Sequence, residues 1–246
     1  MNKEREKKIL ETILIQKKVT VKELAAKLFA SEPSIRRDLV SLEKQGLIKR
    51  IHGGALLEET SSSAMKIPFV IREMEQSDAK IIMAKKAIEL INDYDIIFID
   101  ASSSAYNIIP YLPLRKNLTV ITSGVKALSK LAEYGIRTIC TGGELLPSCL
   151  SLVGDESYAT ICETNADIAF FSCRGLSEDG FLTDISYAEN MVRRKMIANA
   201  KKSYLLCASN KIGKKYSHKL CRVEDVTGII CEEELPESPG KKTDIR

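Results

Sequence analysis

Histidine is scarce in this sequence, with two residues among 246. None of the seven cysteines, Cys140, Cys149, Cys162, Cys173, Cys207, Cys221 and Cys231, forms a C-x-x-C pair with another. An odd count at irregular spacing argues for reduced thiols rather than a disulfide framework or a thiolate metal site. Several fall in apolar runs, where cysteine serves as a small hydrophobe. A redox-sensing regulator is therefore disfavoured, and no metal or cofactor is expected. Long apolar runs are also missing: none approaches the roughly 18–20 residues of a membrane span. The N-terminus lacks a signal-peptide pattern, and no internal repeat is found. These absences lead to the expectation of a cytoplasmic protein without a membrane partner.

The charge that is present is unevenly spread. The net formal charge is +4, but residues 1–56 hold 13 Lys+Arg against 7 Asp+Glu, and the remainder holds 24 against 26. A basic front on a near-neutral body fits a nucleic-acid module joined to a sensor or an enzyme. Hydrophobic residues make up 44% of the chain, which supports a packed core. The expected division is a winged helix-turn-helix over 1–56, a linker over 57–73, an α/β domain over 74–235 and a flexible tail over 236–246.

Residues 20–54 carry the strongest local pattern. Thr20 and Glu23 fit a capping box, in which hydroxyl and carboxylate satisfy each other's orphan N–H groups. Val21, Leu24, Ala25 and Leu28 then form one apolar stripe. Ser31 is placed as N-cap of a second helix with Pro33 in its first turn. Ile35, Leu39 and Leu42 share a face of that helix, and the opposite side carries Arg36, Arg37, Ser41 and Lys44. Gly46 is placed to end it in a left-handed turn. Upstream, Ile9, Leu10, Ile13 and Leu14 predict a first helix closing a three-helix core.

Two helices, a tight connection and a wing suit insertion into a DNA major groove. Arg36 and Arg37 lie where base edges are read, and Ser34 can donate to a phosphate. Lys49, Arg50 and His52 come next in the wing, suited to backbone or minor-groove contact. Thr20 and Ser31, at the helix starts, complete the candidate DNA face.

This stretch resembles the DeoR family of bacterial regulators. The carrying residues are V-K-E-L-A-A-K-L (21–28), S-E-P-S-I-R-R-D-L (31–39), L-E-K-Q-G (42–46) and R-I-H-G-G-A (50–55). Ala30 departs from the pattern, where valine is usual.

Beyond the linker, short apolar runs alternate with helical patterns. Runs at 96–99, 118–121, 137–140, 167–171, 203–208 and 228–231 are separated by helix-like segments at 78–91, 103–112, 126–134, 155–163 and 187–200. Such alternation predicts a mostly parallel sheet covered on both faces. Ligands in open α/β sheets collect at the carboxyl ends of strands, which makes the loop after each strand a candidate site.

After the first strand comes D-A-S-S-S. Asp100 could accept from sugar hydroxyls, while Ser102, Ser103 and Ser104 with their N–H groups could cradle a phosphate. Equally, a serine there could simply cap the helix. Gly142, Gly143 and Gly175 come after later strands, allowing tight turns or close backbone approach. Lys211, in S-N-K-I-G, could balance an anion. Glu189 pairs with Ser186 in a second capping-box pattern, so a helix start is as good a reading as a ligand role.

The resemblance continues from about residue 3 to 231. D-A-S-S-S is similar to the family's acid-x-Gly/Ser-Ser-Thr loop. Thr122, Gly142, Gly143, Gly154, Gly175, Glu189 and S-N-K-I-G match the family's order and spacing. It implies a sensor related in fold to sugar-phosphate isomerases, binding a phosphorylated sugar as effector. Ser123 and Ala208 depart from the family's usual Asn and Asp. The expectation is a DNA-binding repressor of a sugar-use operon, not an enzyme, acting on operator DNA as a homo-oligomer. The alternative is a sugar-phosphate isomerase-like enzyme carrying a DNA-binding module, with Asp100, Glu189 and Lys211 as acid–base groups. The absence of histidine from the proposed site counts against it.

Overall fold

The computed structural model describes residues 3–57, 68–234 and 244–245. The chain divides into two compact units, Met1–Glu75 and Gln76–Arg246.

In the first unit, α1 (Lys3–Gln16), β1 (Lys18–Thr20), α2 (Val21–Lys27), α3 (Glu32–Lys44), β2 (Lys49–Ile51) and β3 (Gly54–Leu56) occur in order. The strands form an antiparallel sheet in the order β1-β3-β2. Ile9, Ile13, Leu24, Ile35, Leu39 and Leu42 are its buried core. The capping box forms as expected: Glu23 N donates to Thr20 Oγ1 at 3.1 Å and Thr20 N donates to Glu23 Oε2 at 2.8 Å. Gly46 ends α3 at φ 69°. Ser31 differs from expectation. It has the extended backbone of an N-cap but no capping bond, and its hydroxyl meets Ser34 Oγ at 3.0 Å instead.

A further helix, α4 (Phe69–Met74), falls almost wholly in the stretch expected as linker. Its Ile71 is buried in the winged-helix core, with Val70 and Met74 against it. The apolar pair Val70–Ile71 finds burial there once Pro68 opens the helix. The rest of the expected linker, 58–67, lies outside the described residues.

The second unit contains α5 (Ser77–Ile88), β4 (Ile96–Ile99), the single turn α6 (Ser103–Tyr106), β5 (Thr119–Thr122), α7 (Val125–Glu133), β6 (Arg137–Cys140), β7 (Glu144–Leu146), β8 (Ser151–Val153), α8 (Asp155–Cys162), β9 (Ala166–Phe171), β10 (Gly175–Leu176), β11 (Phe181–Asp184), α9 (Tyr187–Ala198), β12 (Ala200–Leu206), β13 (His218–Arg222), β14 (Gly228–Ile230) and β15 (Asp244–Ile245). Seven strands form one parallel sheet in the order β15-β14-β12-β9-β4-β5-β6. The central strands are apolar on both faces: Ile97, Phe98, Val120, Ile121, Phe170 and Leu205 are fully buried.

Several elements differ from the sequence reading. The helix expected over 103–112 breaks into α6 and a 3-10 turn at Ile109–Leu114, because Pro110 and Pro113 withhold N–H groups. Two small antiparallel sheets, β7-β8 and β10-β11-β13, stand beside the main one. Within the expected tail, Asp244–Ile245 pair with β14, while 236–243 and 246 lie outside the described residues.

The capping box gives a direct check on the first unit. Thr20→Ala should lower its stability by about 1 kcal/mol, read from chemical denaturation. An unchanged midpoint would mean that Thr20 holds no orphan N–H in solution.

Candidate DNA-recognition face and strand-end site

Short-range contacts join side chains on the exposed face of α3. Arg36 Nη2 lies 3.0 Å from Glu32 Oε2, one helical turn earlier, and both groups are substantially exposed. Arg37 Nη2 donates to Ser34 Oγ at 3.3 Å. Ser41 Oγ accepts from Gln45 at 3.1 Å. Lys44, Lys49, Arg50 and His52 are all exposed. Arg50 N donates to Glu43 Oε1 at 2.9 Å, fastening the wing to the end of α3.

The glycine pair in the wing is structural. Gly53 turns at φ 76°, and a Cβ on Gly54 would lie 2.1 Å from Val19 O, so β3 reaches β1 only without a side chain. A cleft of about 530 Å³ opens beside the α2–α3 connection, lined by Arg5, Lys8, Lys27, Phe29, Ser31 and Ser34 among others.

Asp38 escaped the sequence reading. It stands next to Arg37 but turns inward, 2% exposed, where Arg5 Nε meets Asp38 Oδ2 at 2.5 Å. The pair ties α1 to α3. The available signal was position: three residues after Ile35, Asp38 falls on the apolar face and needs a cation.

In the second unit, the loops after β4, β9 and β12 converge on one charged cluster. Asp100, 2% exposed, accepts at Oδ1 from Ser102 N (3.1 Å) and Ser102 Oγ (2.5 Å). At Oδ2 it accepts from Arg193 Nε (2.8 Å) and Ser172 N (3.3 Å). Arg193 also donates to Asp184 Oδ2 (2.9 Å), Asn190 Oδ1 (3.3 Å) and Glu189 Oε1 (3.4 Å). Burial opposes the Arg193 charge, but Asp184, Glu189 and Asp100 outweigh it and raise its pKa above the ordinary arginine value. Lys211 Nζ donates to Ser172 Oγ at 2.7 Å, and that hydroxyl donates to Leu206 O at 2.6 Å. Asp100, Glu189 and Lys211, far apart in sequence, are thus linked through Arg193 and Ser172.

Several of the other candidate residues are engaged by the protein itself. The Ser102 N–H, expected at a phosphate, is turned into Asp100. The Ser102 hydroxyl caps α6 by accepting from Ala105 N at 3.1 Å. Ser103 and Ser104 are buried beside it. Thr122 is buried at the end of β5, where its hydroxyl accepts from Gly124 N at 3.0 Å. Gly143 and Gly175 admit the protein's own backbone: an added Cβ would lie 2.2 Å from Val153 O and 2.3 Å from Lys214 O respectively. Gly142 turns at φ 71°. Glu189 meets the helix-start reading only in part, because Ser186 N donates to Asp184 Oδ1 and not back to the Glu189 carboxylate. Its N–H donates to Ser186 Oγ at 3.3 Å, while its carboxylate faces Arg193.

Arg193 and Asp184 were not found from sequence. A signal existed, because Glu189 and Arg193 stand one turn apart on α9 and Val192 and Met196 beside Arg193 are buried. The next residue, Arg194, grips β13 by donating to Leu220 O (2.8 Å) and Lys219 O (2.6 Å).

The cysteines show no reactive setting in this region. Burial pushes the thiols of Cys173 and Cys231 up to about 11 and Cys207 higher still, leaving them protonated near neutral pH.

A winged helix joined to a parallel α/β unit with a charged strand-end cluster is the architecture of a regulator with a sensor. Family models agree: the DeoR-like helix-turn-helix domain matches residues 5–61 and the DeoR C terminal sensor domain matches residues 75–233. The chain belongs to the DeoR family and is a DNA-binding transcriptional regulator. It is 31% identical over 241 residues to the HTH-type transcriptional regulator GolR of Listeria innocua, covering 97% of this chain and 94% of that protein. It is 28% identical to the glycerol-3-phosphate regulon repressor of Escherichia coli, covering 94% and 90%. Among solved structures, eIF2B delta from Chaetomium thermophilum shares the fold at a TM-score of 0.50 and 15% identity, covering 68% of this chain and 62% of that one. Among the described residues, no helix is long and apolar enough to cross a membrane.

Arg193 gives the sharpest test of the cluster. Arg193→Ala leaves the buried carboxylates of Asp100 and Glu189 without their cation and Asp184 with only the longer Arg174 contact at 3.8 Å, and should destabilise the second unit by about 3–5 kcal/mol in chemical denaturation. A loss below about 1 kcal/mol, the level of an exposed pair, would show that water reaches the cluster.

Proposed function

We propose that the chain represses a sugar-use operon and that a phosphorylated sugar, bound at the carboxyl ends of β4, β9 and β12, changes its operator affinity. The observation that carries this reading is the linked set Asp100–Arg193–Glu189 with Lys211. Carboxylates suited to sugar hydroxyls stand within one network of a half-buried ammonium suited to an anion. The phosphate belongs on the Lys211 side, away from the three carboxylates, and the hydroxyls toward Asp100, Glu189, Ser103 and Ser104. Thr122, Gly142, Gly143 and Gly175 shape the neighbouring loops. The site binds without turnover, and the protein acts in the cytoplasm. The effector must bind the two regulatory states unequally, since equal affinity would shift nothing. Self-association is part of the same proposal, because linked winged helices gain from effective concentration.

Operator readout rests on α3. Arg37→Ala should cost about 1–3 kcal/mol of operator affinity and relax preference at one or two base pairs. Lys49→Ala should weaken all sequences alike and flatten the salt slope by about one unit. Equal binding of operator and random DNA by native protein and Arg37→Ala would remove α3 as the reading element.

Effector binding is tested by a thermal-shift panel of pentose, hexose and ketose phosphates with the matching free sugars. At a hundredfold excess over its dissociation constant, an effector should stabilise by about 2.7 kcal/mol. The free sugar should do much less, lacking the charge-assisted hydrogen bonds of the phosphate. Lys211→Ala should lose the shift while retaining operator binding. If no sugar phosphate shifts the melting temperature, or if free sugars work equally well, the effector reading fails. Product formation in the same mixtures would favour the enzyme alternative.

A further inference from the structure

Arg174 stands two residues past Ser172, beyond the end of β9, and its side chain is 21% exposed. Its Nε lies 3.8 Å from Asp184 Oδ1, too far for a hydrogen bond. Asp184 is already occupied by other donors. Its Oδ1 accepts from Ile185 N at 2.7 Å and Ser186 N at 3.4 Å, and its Oδ2 accepts from Arg193 at 2.9 Å. Among the described residues, the Arg174 guanidinium makes no hydrogen bond. A guanidinium offers five N–H donors, and leaving them unmet in a shielded position is costly.

The backbone that carries Arg174 is pinned from two sides. Arg174 N donates to Thr183 O at 3.1 Å, which ties it to β11. On the other side Gly175 passes against Lys214 O, and Gly213 N donates to Leu176 O at 2.8 Å. Cys173 turns into the core, while its neighbours Ser172 and Arg174 turn to the charged cluster. Cα atoms two residues apart are separated by at most about 7 Å. Lys211, held by Ser172, and Arg174, beside Asp184, are therefore two half-buried cations at the rim of one cluster. Lys211 spends one side-chain donor on the protein, and Arg174 spends none.

We propose that Arg174 receives a second anionic group of the effector. The ligand is then a sugar with a phosphate at one end and another anion, phosphate or carboxylate, at the other. The proposal rests on the effector reading above and narrows its ligand class. A monophosphate would engage Lys211 and leave the Arg174 fork open. That planar fork matches a carboxylate or a phosphate through two parallel hydrogen bonds, whereas a sugar hydroxyl brings no charge. Counting Arg174, the cluster balances: Arg193, Lys211 and Arg174 offset Asp100, Asp184 and Glu189. An anion arriving at the rim meets no excess of negative charge.

The test is isothermal titration calorimetry on the full chain. The probes are pentulose and hexulose bisphosphates, phosphorylated aldonic acids and the matching monophosphates. At least one bis-anion should bind about tenfold or more tighter than its monophosphate, the yield of one added charge-assisted hydrogen bond. The bisphosphate and aldonate arms show which second anion is read. Arg174→Gln should remove the advantage and leave monophosphate affinity as it is. Arg174→Lys, which keeps the charge and loses the fork, should retain part of it. Both variants should keep the ligand-free melting temperature, since the side chain makes no hydrogen bond to lose. A clear fall in that temperature would make Arg174 a structural counter-ion of Asp184 and overturn the proposal. Bis-anions no tighter than monophosphates overturn it and leave the sugar-phosphate reading standing. Loss of monophosphate binding in Arg174→Gln gives Arg174 the phosphate itself and overturns it too. If no sugar phosphate of either kind binds, both readings fall.

Discussion

A guanidinium shut away from water is tolerable only where carboxylates replace its hydration, and Arg193 imposes that condition on the second unit. It draws Asp100 from the end of β4, Asp184 from the end of β11 and Glu189 from its own helix onto one planar group. Net stabilisation from such a buried cluster is small, because desolvation offsets much of the attraction, yet a missing member is costly. The consequence is registration. Loops from separate strands can meet at the sheet's carboxyl end in few other arrangements, since any of them strands a charge. Ser172 carries the arrangement onward to Lys211, so the cation at the rim is positioned by the same network that holds the carboxylates.

The first unit obeys the opposite regime. Its framework is apolar, with Ile9, Leu24, Ile35 and Leu42 packed to near-zero exposure, and one part-buried pair, Arg5–Asp38, locks α1 to α3. The charges on the exposed face of α3 are held loosely. The Arg36–Glu32 pair is exposed on both sides, and such pairs contribute about 0–1 kcal/mol. Exchanging Glu32 for another partner therefore costs Arg36 little. Where the second unit fixes its charges, α3 leaves its own free to be re-paired.

How far sequence reasoning reached depended on whether a feature was local. The capping box at Thr20, the stop at Gly46 and the order of helices and parallel strands rest on neighbours a few residues apart, and all appear in the structure. The convergence of the strand-end loops follows from the parallel sheet, which puts them on one side. The rest needed tertiary information. Arg193 reads as one more cation in a basic stretch until folding encloses it. Asp184 lies on a short antiparallel strand whose four residues show little periodicity. Gly143 and Gly175 looked like openings for a ligand, and the atoms that fill them belong to Val153 and Lys214, remote in sequence from each glycine. Ser31 had a cap's position, but its hydroxyl found Ser34 instead.

Adjacency on α9 has a mechanical side. Glu189 and Arg193 look toward the strand ends, while Arg194, the very next residue, holds the carbonyls of Lys219 and Leu220 on β13. Consecutive side chains on a helix point about 100° apart, so this one segment is clasped from two directions at once. It cannot rotate toward one clasp without pulling on the other. The small sheet and the charged cluster are therefore geared together through a single turn of helix.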